Sequence, residues 1–145
     1  PHGGELLGPE SVMNVVSALH PTRLGHGVRT SENPDLLRRL VDADISFEVC
    51  PTSNIHLGVF PDFASVPLMR FIEAGARVAL SADDPLLFHS RVVAQYEAAR
   101  DVLGLSDAQL ADLARQSIDA SLASAASKRV WKAEIDQWLA APPAV

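Results

Sequence analysis

A chain of 145 residues is long enough for one compact domain with its own hydrophobic core. The formal net charge of −6 and the lack of any basic run argue against binding to a nucleic-acid backbone. One cysteine excludes an internal disulfide framework, and no apolar run approaches the roughly 18 residues of a membrane helix, so we expect a cytoplasmic protein with no membrane partner.

The chain begins with a predicted helix, a short strand and a second helix. Apolar residues repeat at helical spacing after Gly8-Pro9 and before Pro21, namely Val12, Val15, Val16 and Leu19. Arg23-Leu24-Gly25 is a candidate strand that ends at His26. Asn33-Pro34 then predicts a helix start, with Asn as the cap and Pro in the first turn. The apolar face of that helix is Leu36, Leu37, Leu40 and Val41.

A further strand, helix and strand follow. Residues 45–50 alternate between apolar and polar side chains, which predicts a strand stopped by Pro51. We expect a long loop from there through residue 61. A helix over about 66–74 then leads into a strand at 78–80. Helices and strands that alternate with short connections predict a parallel sheet with right-handed crossovers.

After Pro85 the pattern predicts helices only. The first covers about Leu86 to Leu103, and Ser106 with Gln109 makes a capping box for the next. The last has an apolar face that includes Trp131 and Trp138, which we expect to lie in the core, and Pro142-Pro143 should end it. No repeat or linker interrupts the sequence, so we expect residues 1–145 to form a single domain.

Potential metal ligands and proton carriers follow the predicted strands in short strings. His2-Gly3-Gly4-Glu5 places an imidazole three residues from a carboxylate, so that His2 can hold a cation while Glu5 exchanges a proton. In Leu24-Gly25-His26-Gly27, His26 lies between two glycines at a strand end, where it can hydrogen-bond a reacting water. A surface histidine in a Gly-rich loop and a histidine in a turn are the alternatives that remain open.

Ser81-Ala82-Asp83-Asp84-Pro85 follows an apolar strand directly. Adjacent carboxylates repel each other, and burying both is costly without a cation or a hydrogen-bond donor. Asp83 and Asp84 should point in different directions, so one can bind a metal while the other binds substrate. A turn or helix cap rich in Asp is the alternative. Residues from several strand ends can meet at the mouth of an α/β barrel, where such enzymes place their active sites.

Cys50-Pro51-Thr52-Ser53-Asn54 is the remaining string. We do not interpret Cys50 as a nucleophile, because no base is evident beside it and buried cysteines are usually inert. Its polar tail should shape a loop at the rim of the pocket. Glu48 is a candidate to orient His26, although an outward-facing polar position is equally consistent with the pattern.

The four strings in this order, with the helical tail, resemble the C-terminal half of the adenosine deaminase family of zinc-dependent amidohydrolases. The resemblance runs over nearly the whole chain. It implies an α/β fold, the C-terminal portion of a (β/α)8 TIM barrel with parallel strands, followed by C-terminal helices. It also implies that the N-terminal half of the barrel is missing from this chain.

The resemblance implies a role for each matching residue. His2 would be a zinc ligand, and Glu5 would donate a proton to N1 of the purine ring. His26 would position and polarise the attacking water. Asp83 would complete the zinc site and share in removing the water's proton, and Asp84 would hold the ring at N7.

The chain departs from the family pattern in its metal ligands. No His-Xaa-His pair, which supplies two zinc ligands in the family, occurs among the 145 residues, and Gly3 stands where Ala is more usual. His2 and Asp83 alone cannot make the three-ligand-plus-water arrangement of catalytic zinc. We therefore expect one zinc per active site, with its other ligands from the missing half, and no activity from this chain alone.

The expected reaction is hydrolytic deamination of a 6-aminopurine nucleoside, most simply adenosine to inosine and ammonia. Adenine or 6-aminodeoxyfutalosine would fit the same residues. Two other classes remain open, a degenerate barrel that only binds a ligand and a metal-free α/β binding domain. The cytidine-deaminase fold is excluded, because its Pro-Cys-Xaa-Xaa-Cys zinc motif is absent from the sequence.

Overall fold

The computed structural model describes residues 1–141, which contain one four-stranded parallel sheet. The strands lie in chain order, β1 (His2–Gly3), β2 (Arg23–His26), β3 (Ser46–Val49) and β4 (Val78–Leu80). His2 lies opposite Gly25, and Phe47 lies between Leu24 and Val78. Sequential parallel strands joined by helices are the repeating unit of a (β/α)8 barrel, so the structure confirms the predicted fold class.

Eight helices accompany these strands within residues 1–141. They are α1 (Pro9–Leu19), α2 (Pro34–Asp42), α3 (Pro51–His56), α4 (Leu68–Glu73), α5 (Pro85–Phe88), α6 (Val92–Leu103), α7 (Asp107–Ala120) and α8 (Ala125–Ala140), with a 3-10 turn at Val28–Glu32. None of them is long and apolar enough to cross a membrane.

Predicted helix caps account for two of the helix starts. The Asn33 side chain accepts a hydrogen bond from the Leu36 N–H at 3.0 Å, and Pro34 occupies the first turn of α2. Ser106 and Gln109 form the predicted reciprocal capping box at the start of α7. Both arrangements satisfy backbone donors that a helix start leaves unpaired, which fixes where each helix begins.

The core lies between the sheet and the helices. Leu24, Phe47 and Val78, which pair across three adjacent strands, are fully buried. The Phe47 ring packs against Phe71 of α4, with 4.7 Å between the ring centroids. Burial of such side chains stabilises the sheet by about 1.5–3 kcal/mol for each large apolar residue and holds the strand ends in place.

Three predictions of local structure were wrong. Residues 51–61 are not all loop, because Pro51 begins α3. The helix predicted over 86–103 is split into α5 and α6, since His89 adopts a left-handed conformation with φ of 49°. Trp131 and Trp138 are not core residues, because α8 packs on α7 at the surface and leaves them 43% and 48% exposed. The predicted helix end at Pro142-Pro143 lies outside the described residues.

Candidate active site

The parallel strands bring the predicted residues to one end of the sheet. His2 lies on β1, His26 is the last residue of β2, and Asp83 follows β4 by three residues. All three line a cavity of about 450 Å³, together with Cys50 at the end of β3. The structure therefore places the imidazole at position 2 and the carboxylate at position 83 in the same cavity, as their positions after successive strands predict.

His26 is the centre of this group. Its Nδ1 lies 3.5 Å from Glu5 Oε1, and its Nε2 lies 3.7 Å from Asp83 Oδ2, so the ring separates the two carboxylates. Burial lowers the pKa of His26, and the carboxylates of Glu5 and Asp83 oppose that effect. The pKa direction indicates a neutral imidazole at pH 7, which can both donate and accept a hydrogen bond.

The His2 ring lies against this histidine, with 5.0 Å between the two ring centroids. The cross-strand neighbour of His2 is Gly25, and a Cβ at that position would come within 3.3 Å of the His2 ring. The glycine before His26 therefore leaves room for the second imidazole. Gly27 has a different role, since its φ of 69° turns the chain away from β2.

Asp83 and Asp84 diverge, as expected of adjacent carboxylates. Asp83 has a φ of 60°, and its Oδ2 accepts a hydrogen bond of 2.7 Å from the Ser53 hydroxyl. Asp84 caps α5, with its Oδ1 accepting from the N–H groups of Leu86 and Leu87 at 3.0 and 3.1 Å. The helix-cap alternative left open by the sequence is thus present at Asp84, which is exposed.

Sequence reasoning missed two residues of the site, Ser53 and Asn54. Both are fully buried on α3, although they were assigned to a loop at the rim of the pocket. The Asn54 Nδ2 lies 3.5 Å from Glu5 Oε1 and 3.4 Å from His26 Nδ1. The signal in the sequence was Pro51, which both ends a strand and favours the first turn of a helix, followed by three polar residues.

Cys50 and Glu48 make no hydrogen bond to His26 or Asp83 among the described residues. Burial, reinforced by the charge of Asp83, raises the pKa of Cys50 to about 12, and its thiol donates to the Glu48 carbonyl at 3.4 Å. A thiol that stays protonated at neutral pH is a poor nucleophile, in agreement with the sequence interpretation. The Glu48 carboxylate lies 3.5 Å from Arg23 Nη1, in the same cavity.

The donors gathered here suit zinc in type. Ligand atoms of His26, Cys50 and Asp83 lie within 4.8 Å of one another, and His2 lines the same cavity. Imidazole nitrogen and carboxylate oxygen are common zinc ligands, whereas the protonated Cys50 would first have to lose its proton. Histidines and carboxylates at the carboxyl ends of parallel strands lie where α/β barrels place their active sites, so the fold and the cavity define a candidate active site of the α/β-barrel class.

The comparisons with known sequences narrow the class. Residues 1–138 match the family described as adenosine deaminase. The chain is 53% identical over 141 residues to a Streptomyces coelicolor protein named as an adenosine/adenine deaminase. The matched region makes up 97% of this chain and 41% of that protein. It is 46% identical over 134 residues to an adenine deaminase of Rhizobium leguminosarum bv. trifolii, covering 92% of this chain and 42% of that enzyme. The chain belongs to the adenosine deaminase family, and it spans about two fifths of the length of these relatives.

Solved structures give the same assignment. The crystal structure of an adenine deaminase from Arthrobacter aurescens superposes with a TM-score of 0.92 at 34% identity, covering 97% of this chain and 43% of that one. An amidohydrolase from Burkholderia ambifaria with bound zinc superposes with a TM-score of 0.83 at 25% identity, covering 95% and 39%. An amidohydrolase with bound zinc is therefore among the structural relatives of this chain.

Proposed function

We propose that this chain supplies the C-terminal part of the active site of a zinc-dependent enzyme that hydrolyses the 6-amino group of a purine. The observation that carries the proposal is that His26 lies between two carboxylates at the carboxyl ends of parallel strands. Its ring nitrogens are 3.5 Å from Glu5 Oε1 and 3.7 Å from Asp83 Oδ2. The remaining strands and zinc ligands would belong to the N-terminal part of a full-length cytoplasmic enzyme, of which residues 1–145 form one part of the barrel domain.

His2 and Asp83 are the residues of this chain that would hold the metal. Zinc, when bound, lowers the pKa of a water molecule to about 7 and so supplies the nucleophile that attacks the purine. Asp83 is kept in place by the Ser53 hydroxyl at 2.7 Å. His26 lies between Asp83 and Glu5, where its imidazole can polarise the attacking water.

Glu5 would act as the general acid. Its protonated carboxyl would donate a proton to N1 of the ring while the water oxygen bonds to C6, and Asp83 would accept the water's proton. The amino group then takes up the proton held by Asp83 and leaves as ammonia when the C6–N bond breaks, and the proton of the C6 hydroxyl returns to Glu5, so that a 6-oxopurine remains. Asp84, the residue after Asp83, would hold the ring at N7.

Two substrates have support from different observations. The family description favours adenosine, which gives inosine, whereas an adenine deaminase has the highest structural similarity reported above, with a TM-score of 0.92. The residues assigned to this mechanism would serve either compound, because their roles concern the metal, the water and the base and not the sugar. Contacts to a sugar would come from the part of the barrel outside this chain.

Release of ammonia by the full-length enzyme from adenosine, adenine and 6-aminodeoxyfutalosine tests the proposal. We expect turnover of at least one of the three. Glu5→Gln should lower kcat by at least about 100-fold, because it removes the acid, with zinc content unchanged. Asp83→Ala should lose both zinc and turnover. No turnover of any of the three compounds would contradict the proposed reaction, and retained zinc in Asp83→Ala would contradict the assignment of that ligand.

A further inference from the structure

Asn54 makes two contacts that the mechanism above does not use. Its side chain is fully buried on α3, and its Nδ2 faces two acceptors, Glu5 Oε1 at 3.5 Å and His26 Nδ1 at 3.4 Å. An amide nitrogen carries two hydrogens, so one can be donated to each acceptor. These distances are long for hydrogen bonds, and catalytic hydrogen bonds commonly shorten when substrate binds.

The neighbouring Glu5 and His26 side chains determine which way the Asn54 amide is oriented. Of the two polar atoms of the Asn54 amide, Oδ1 is buried without a hydrogen-bond partner among the described residues, whereas Nδ2 has partners. Exchange of Oδ1 and Nδ2 would place an oxygen against Glu5 Oε1 and leave a donor with two hydrogens unpaired, which costs more. An unpaired buried acceptor is itself unfavourable, and such a group calls for a reason.

The neighbours of Asn54 restrict its position. Ser53 donates to Asp83 Oδ2 at 2.7 Å, which attaches α3 to the other side of the site. The buried Gln95 of α6 accepts from the Thr52 N–H at 3.2 Å and donates to the Thr52 hydroxyl at 2.7 Å. Three consecutive residues of α3 are therefore fixed by different elements, and the Asn54 amide has little freedom to leave the two acceptors.

We propose that Asn54 is a positioning residue that determines which atoms of Glu5 and His26 carry their protons. By donating to Glu5 Oε1, Asn54 keeps that oxygen as an acceptor, so the acidic proton resides on Oε2 and is available to N1 of the purine. By donating to His26 Nδ1, it keeps the neutral imidazole in the form with hydrogen on Nε2, which faces Asp83. The role at Glu5 rests on the proposed deamination, whereas the role at His26 does not.

Substitution of Asn54 in the full-length enzyme tests the role at Glu5. Asn54→Leu has a similar volume and no donor, and Asn54→Asp has the same shape but places an oxygen against Glu5. We expect kcat to fall by about 10- to 100-fold in Asn54→Leu, and further in Asn54→Asp, with KM within about threefold and zinc content unchanged. Asn54→Gln, which keeps the amide donor, should recover part of the lost kcat.

Asn33→Ala is the control for a variant in which the protein is less stable but the residues of the site keep their positions. It removes the α2 cap and should lower the melting temperature, yet leave kcat unchanged, because Asn33 bonds Leu36 and not the active site. Unchanged kcat in both Asn54→Leu and Asn54→Asp, when the parent enzyme deaminates purines, would overturn the role at Glu5. A loss of kcat matched by an equal loss of bound zinc would also overturn it, since Asn54 would then act only through the fold.

The tautomer of His26 provides a readout independent of activity. In the zinc-loaded full-length protein, ¹⁵N NMR of labelled histidine should show hydrogen on Nε2 of His26, and Asn54→Leu should convert part of it to the Nδ1–H form. If no purine is deaminated but this difference is observed, the proposed reaction fails and the role of Asn54 at His26 stands. Hydrogen on Nδ1 in the parent protein would overturn that role whatever the reaction.

Discussion

The His2 imidazole occupies the space that a side chain on Gly25 would need. A Cβ there would come within 3.3 Å of His2 Cγ, closer than ordinary van der Waals contact, while the backbone of Gly25 requires no left-handed conformation. We therefore expect Gly25→Ala to fold but to move the ring by a few tenths of an ångström. Zinc affinity of the full-length enzyme, measured by competition with a chelator, should weaken roughly tenfold.

Gly8→Ala is the matched control for this substitution. Its added Cβ would meet only Glu32 Oε2 at 3.6 Å, an ordinary contact, so zinc affinity should not change. Equal zinc affinity in Gly25→Ala and the parent would show that the position of His2 does not depend on Gly25, or that His2 is not a ligand.

Cys50 supports a prediction about pH. Its pKa is raised to about 12 by burial and by Asp83, against 9.0 for an ordinary thiol, so the folded state keeps the proton that the unfolded chain loses. The stabilisation is complete below pH 9 and declines as pH rises from 9 towards 12, because only the unfolded chain then releases protons. We expect Cys50→Ala to show a shallower loss of unfolding free energy over this range.

Alkylation of Cys50 by iodoacetamide checks the same pKa in the native enzyme. Peptide mass spectrometry should find slow labelling at pH 9 in the folded protein and fast labelling in urea, since the thiolate is the reactive form. Labelling of the folded protein that is half-maximal near pH 9 would contradict the raised pKa.

Among single residues, those at strand ends could be placed from the sequence and those on α3 could not. His2 and His26 lie at the ends of strands and Asp83 comes three residues after one, and parallel strands bring their carboxyl ends together whatever the intervening helices do. Ser53 and Asn54 reach the site only because α3 turns back over it, a tertiary arrangement that no local pattern specifies. The chemical roles of all these residues remain predictions.

Helix α3 depends on Gln95 of the neighbouring α6. This buried amide bonds both the N–H and the hydroxyl of Thr52 and donates to Ser90 Oγ at 2.6 Å. Gln95→Ala would leave these groups unpaired, so we expect a loss of about 1–3 kcal/mol in the free energy of unfolding. Turnover should also fall, because α3 carries Ser53 and Asn54.

Gln109→Ala offers a comparison at the level of a helix. It removes the bond from the Ser106 N–H to the Gln109 side chain, one half of the α7 capping box, which costs about 1 kcal/mol, but touches no residue of the site. Denaturant unfolding and kcat should therefore separate the two variants, with both destabilised and only Gln95→Ala impaired in turnover. Equal kcat in the two would contradict the dependence of the site on α3.

The helix starts differ in how well the sequence predicts them. Asn33-Pro34 and Ser106–Gln109 specify their helix starts through local hydrogen bonds, so the sequence suffices there. Pro51 was ambiguous, because a residue that cannot continue a strand is also favourable in the first turn of a helix. The break at His89 was invisible, since a histidine does not require the left-handed backbone that it adopts.

At the scale of the whole molecule, the sheet has two outer strands, β1 and β4. Gln116 of α7 accepts from the Val78 N–H at 2.7 Å, so one outward donor of β4 is paired by a side chain. In a closed barrel the outer strands pair with the strands that complete it. The amphipathic pattern of α8 identifies a helix, but it does not show which face the rest of the molecule covers. Trp131 and Trp138 of that helix are exposed.

Zinc binding should depend on that completed barrel. His2 and Asp83 are the two ligands assigned to this chain, and catalytic zinc takes three protein ligands and a water, so residues 1–145 alone should retain less than one zinc per chain after gel filtration. The full-length enzyme should retain one. Circular dichroism would verify that the chain produced alone is folded, and addition of the N-terminal half in trans should restore binding. One tightly bound zinc on the isolated chain would contradict the two-ligand assignment and would direct attention to His26 and Cys50, whose donor atoms lie within 4.8 Å of each other and of Asp83.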